Sequence, residues 1–92
     1  MGRWYSGSSK SAAIAVAKEN VQLAELIMDD PKKEAGWEFA ESVRDQSVSI
    51  MTSLDSKPEY KEATEKQAKA LEGMNKGLRR WFRGEELEKF DK

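Results

Sequence analysis

Few side chains in this chain are equipped for chemistry, and they fall into three groups. The first is two pairs of adjacent carboxylates, Asp29 with Asp30 and Glu85 with Glu86. The second is a run of hydroxyls with one lysine, Ser6-Gly7-Ser8-Ser9-Lys10-Ser11, preceded by Trp4 and Tyr5. The third is a cationic and aromatic run, Lys76, Arg79, Arg80, Trp81, Phe82 and Arg83. The chain contains no His and no Cys, which removes imidazole, thiolate and zinc-type chemistry and leaves carboxylates, Lys and Tyr for acid–base work. Each carboxylate pair falls at a helix end or in the tail, where capping or solvation accounts for it. Nothing matches a Ser–His–Asp, Cys–His or His-Glu-x-x-His arrangement, and no loop has the ligand spacing that Ca²⁺ or Mg²⁺ requires. The expectation is a protein that is not an enzyme and carries no metal and no cofactor.

The other two groups point to anions. The serine-rich run leads into a helix start, where free backbone N–H groups, the helix dipole, hydroxyls and Lys10 are the ingredients of a phosphate site. Trp4 and Tyr5 would then be placed to stack on a base. Walker-type glycine spacing is absent, and the simpler reading is a flexible arm ending in an N-cap. In the cationic run, Lys76, Arg79, Arg80 and Arg83 would contact phosphates while an aromatic stacks. Against this, basic residues near a helix C-terminus favour the helix dipole, and the acids Glu85, Glu86, Glu88 and Asp91 follow at once. Nucleic-acid or nucleotide binding is therefore the second functional reading.

These residues must be positioned by helices. The 92 residues suit one domain, and a chain this short buries only about 60–65% of its unfolded surface. Without disulfide or zinc staples, thorough helix packing or self-association must supply stability. Sixteen Lys and Arg balance seventeen Asp and Glu, so bulk charge favours neither nucleic acid nor membrane. The apolar stretch at 12–17 is cut short by Lys18 and Glu19, too soon for a secretory signal, and no stretch reaches the ~20 apolar residues of a membrane span. Absence of Cys suits a reducing compartment, and a cytoplasmic location without membrane contact is expected.

Residues 1–11 read as a flexible arm, with Ser9 or Ser11 capping a helix over 12–28. Asp30-Pro31 and Ser56-Lys57-Pro58 read as break, cap and restart, placing helices at 31–54 and 58–83. Gly73 and Gly77 fall inside the third helix at a cost of about 1 kcal/mol each relative to Ala, and Gly84 serves as its C-cap. Residues 84–92 read as a short acidic tail with room for one or two further helical turns. The fold class is all-α: an antiparallel three-helix bundle over 12–83, or an extended helical hairpin completed by self-association.

The third helix shows an apolar stripe of Tyr60, Ala63, Ala70, Leu71, Met74, Leu78 and Trp81, opposite an i,i+4 ladder of Glu62–Lys66, Glu65–Lys69 and Glu72–Lys76. On the second helix, Trp37, Val48 and Met51 share a broad apolar arc with Arg44, which either lies over Trp37 or sits in a partner interface. The first helix is apolar nearly all round, more than two neighbours would cover, with Asn20 on its apolar face as a register-setting or locally bonded polar residue. The leading functional reading is a small helical adaptor, regulator or inhibitor that binds a protein partner through Trp37, Arg44, Val48, Met51 and Asn20 and self-associates, as a homodimer.

Overall fold

A computed structural model describes residues 9–57 and 63–92. The element order is α1 (Lys10–Met28), a 3-10 segment (Pro31–Gly36), α2 (Trp37–Asp55), α3 (Glu65–Arg79) and α4 (Gly84–Asp91). The all-α class holds. Trp4, Tyr5 and the rest of residues 1–8, with Tyr60 and Glu62, lie outside the described residues.

Short polar side chains set the helix starts. The Ser9 hydroxyl accepts from the Ala12 N–H at 3.0 Å, so α1 begins at Lys10 rather than Ala12. Asp30 is extended, as the residue before a proline must be, and its carboxylate accepts from the Lys32 N–H at 3.0 Å.

The second helix is not continuous from Pro31. Residues 31–36 wind as 3-10 with a non-helical Lys33 (φ −109°, ψ 22°), and α2 proper starts at Trp37. Two contacts fix that break. The Trp37 Nε1–H donates back to the Asp30 carbonyl at 3.2 Å, and the Trp81 indole lies directly on Gly36, within 2.8 Å of where a Cβ would stand.

The third helix also differs from the sequence expectation. Ala63 and Thr64 are not helical. Thr64 and Gln67 instead form a reciprocal capping box, each bond 3.0 Å, that starts α3 at Glu65. The helix stops at Arg79, not at Phe82 or Arg83, because the Trp81 and Phe82 N–H groups bond three residues back, to Leu78 and Arg79. Arg83 is extended, its N–H donates to Glu86 Oε1 at 2.8 Å, and Gly84 opens α4 instead of closing α3. The expected acidic tail is therefore a helix.

α1 is the hub. α2 and α3 each pack along it and touch one another only sparsely. One apolar cluster joins Leu23, Ala24, Ile27, Ala40, Val43 and Leu78, with Phe82, Leu87 and Phe90 closing its end. The other joins Ala13, Ala17, Leu54, Ala63 and Leu71. Between them lies a polar layer in which Asn20, wholly buried, makes three hydrogen bonds. Its Nδ2 donates to Ser47 Oγ at 3.2 Å and to the Leu71 carbonyl at 3.1 Å, and its Oδ1 accepts from Asn75 Nδ2 at 2.9 Å. Ala70, assigned to the core stripe by periodicity, is exposed, and Ala68 takes its place.

The surplus apolar surface expected of α1 is largely absorbed within one copy. Leu23, Ala24 and Ile27 are fully buried, while Leu26 stays 47% exposed. Alanines let α2 and α3 approach closely, and α4 supplies a fourth element that the three-helix reading lacked. No helix among the described residues is long and apolar enough to cross a membrane.

Candidate interaction groove

Two glycines shape a concave surface between α2 and α3. Because α2 and α3 meet α1 but hardly each other, a wedge opens between them. Phe39 leans from α2 into this wedge and brings the tip of its ring onto Gly77, its Cζ 2.8 Å from where a Cβ would stand. One turn earlier on α3, Gly73 has nothing within 4 Å of its own Cβ position, so the wedge stays open there. The result is a groove of about 670 Å³ lined by Phe39, Gly73, Met74, Gly77, Arg80 and Trp81. Phe39 is 40% exposed and Trp81 36%, and each ring is held by a glycine of the opposite element, Phe39 by Gly77 and Trp81 by Gly36.

The cationic run divides at this groove. Arg79 turns away from it, into a network with Glu19, Asn75 and Asp91. Its guanidinium bonds Glu19 Oε2, Asn75 Oδ1 at 3.0 Å, and both Asp91 oxygens at 2.9 and 3.3 Å. The hydrogen bonds with Asp91 and Glu19 push the Arg79 pKa further up, and the same contact holds Asp91 below its usual range. Arg79 is a strut between α1, α3 and α4, which takes it out of the expected phosphate-binding set. Arg83 is exposed, 4.0 Å from Glu85. Lys76 is exposed on α3. Arg80 lines the groove and makes no ion pair or hydrogen bond among the described residues.

A second clasp ties α4 to the 3-10 segment. Lys33 reaches Asp30 at 3.2 Å and Glu86 at 3.3 Å, and stands 5.1 Å from the centre of the Phe82 ring. Burial works against its charge, but the bonds to Asp30 and Glu86 win and raise its pKa. Glu86 is lowered, first by the Arg83 N–H and then by Lys33; Asp30 is lowered by the Lys32 N–H and by Lys33.

The expected partner-binding residues of α2 lie on the flank away from the groove. Trp37 is half-buried against the Leu23–Ile27 cluster, and Met51 is half-buried against the other. Arg44 does not lie over Trp37. Its Nε and Nη2 both bond Asp45 Oδ1 at 3.1 Å, with Glu41 at 4.0 Å. Val48 is exposed at 40%. Asn20 is enclosed by its own chain and offers nothing to a partner. Lys10 Nζ donates to the Lys57 carbonyl at 3.3 Å.

Sequence reasoning placed Trp81 in the core and passed over Phe39, Gly73 and Gly77 as site residues. The available signal was two glycines four apart in mid-helix, each costing stability without an evident return. Among the described residues no cluster of three or more carboxylates is placed to hold a metal ion. No protein-family model matches this chain, no curated protein matches it, and no solved structure matches it.

Proposed function

We propose that this chain is a non-enzymatic protein-interaction module whose binding surface is the groove between α2 and α3. The observation that carries this reading is a pair of exposed aromatics, Phe39 and Trp81, held on opposite glycines at either side of an open apolar floor. Aromatic residues and Arg dominate the energetics of protein interfaces, and rigidly held rings lose little entropy on binding. Grooves of this kind between helices accept apolar side chains of a partner. The partnered Arg44 and the tucked Trp37 support placing the contact here and not on the opposite flank of α2.

The test is photo-crosslinking in cells that naturally make the protein. A benzophenone amino acid at Ser42, one turn from Phe39 on the groove side, is compared with the same group at Val48 on the far flank. A protein adduct formed from position 42 and absent from position 48 is expected. An adduct from position 48 alone would return the contact to the Trp37–Arg44 flank.

Nucleic-acid binding keeps Lys76, Arg80, Arg83 and Trp81 as its candidate contacts. It predicts a steep loss of affinity with salt, and it is weakened by the removal of Arg79 from the set and by the covering of one Trp81 face by Gly36.

A further inference from the structure

Resting on the groove as the binding surface, we infer that its occupant is an acidic amphipathic helix of a partner protein, about three turns long. Charge is the first argument. Arg80 is the one ionisable group lining the groove, and it has no carboxylate partner among the described residues. Its neighbours in sequence are served: Arg79 by Glu19 and Asp91, Arg83 by Glu85. On the α2 rim, Ser42 and Gln46 follow Phe39 at helical spacing and bond one another at 3.0 Å, uncharged. Arg80 is thus the one charged group lining this apolar floor, so a complementary segment brings apolar anchors with a carboxylate placed beside it.

Shape is the second argument. Ala70, Gly73 and Gly77 follow at i, i+3 and i+7 on the groove side of α3, and the Cβ position of Gly73 faces open space. A bare backbone lets a second helix approach closely. From Ala70 to Arg80 the strip is about 15 Å long, three helical turns.

The third argument is that the chain already makes one such contact. α4 carries Glu85, Glu86 and Asp91 with Leu87 and Phe90; it sends the two apolar residues into the core and Asp91 onto Arg79. Arg80, the next residue, faces the groove with no such carboxylate among the described residues. A second copy of this chain is not the matching ligand, because its acidic helix has Leu87 and Phe90 committed to its own core and its exposed Leu26 and Val48 lie on different helices.

The experiment is selection of a displayed library of random 16-residue peptides against the full chain. Winners are remeasured by fluorescence polarisation on wild type, Gly73→Leu, Ala70→Leu and Arg80→Glu. The expected winners have apolar residues at helical spacing with Asp or Glu among them. Gly73→Leu and Ala70→Leu should each weaken them about tenfold or more, with thermal unfolding at or above the wild-type temperature. Arg80→Glu should weaken them comparably, and selection on that variant should turn toward basic peptides. Winners that need an open Gly73 but are neutral or basic would overturn the acidic-helix inference and leave the groove reading standing. Winners indifferent to Gly73→Leu, or none at all, would overturn the groove reading itself. Displacement of bound peptide by a thymidine 20-mer would overturn the partner class. A doubling of mass on concentration that Gly73→Leu abolishes would make a second copy the occupant.

Discussion

At the residue scale, Asn20 and the glycines carry most of the specificity. Asn20, itself wholly buried, uses both Nδ2 hydrogens and its Oδ1. Removing it deletes three buried or part-buried hydrogen bonds and leaves a cavity between the two apolar clusters, so Asn20→Ala should cost about 2–3 kcal/mol in urea unfolding; a loss under about 1 kcal/mol would show that the layer is not structural. The glycines should behave oppositely to each other. Gly73→Ala meets nothing within 4 Å and should stabilise by about 0.5–1 kcal/mol through helix propensity. Gly36→Ala drives a methyl to 2.8 Å from the Trp81 indole and should destabilise while shifting the tryptophan fluorescence. Asn20 was readable in the sequence as a polar residue on an apolar face, but its partners were not, since Leu71 and Asn75 come from a helix more than fifty positions away. The roles of Gly36 and Gly77 were hidden for the same reason: each is explained by a ring that only tertiary packing brings to it.

At the element scale, α1 was the most legible because Ser9 and Asp30-Pro31 bound it on either side with conventional signals. The start of α3 was signalled too, by the Thr64-x-x-Gln67 box, but Pro58 offered a competing start. α4 was legible only as an acidic tail of a turn or two, because eight residues with four acids read as solvated, while the burial of Leu87 and Phe90 depends on Phe82 turning in beside them. Ion pairs dock this helix, and they make a pH prediction. Asp91 and Glu86 titrate below their ordinary values of 3.8 and 4.5. A carboxylate lowered by folding contributes fully above its unfolded pKa and loses that contribution as pH falls through the folded one. Arg79 and Lys33 are raised, and so contribute throughout the acidic and neutral range. Through these groups stability should be flat across neutral pH and fall below about pH 4.5. Arg79→Met should reduce that acid slope in denaturation midpoints measured from pH 3 to 7, and an unchanged slope would remove Asp91–Arg79 as its source.

At the scale of the whole molecule, a central α1 flanked by two helices that nearly ignore each other explains both the core and the groove. The same hub undercuts the sequence argument for obligatory self-association. Periodicity counts apolar positions without knowing how near alanine lets neighbours come, or that a fourth helix closes the end. With Leu23, Ala24 and Ile27 sealed inside one copy, sedimentation equilibrium should give a monomer mass across micromolar concentrations; a mass that rises with concentration would show the exposed faces pairing. The central claim is that the open floor beside Gly73 is where a partner binds. It is tested most directly by measuring the affinity of the crosslinked partner, once purified, for wild type and for Gly73→Leu, alongside their thermal unfolding. Binding lost by about tenfold or more with stability kept or raised is the predicted result. Binding retained by a fully folded Gly73→Leu variant would contradict it.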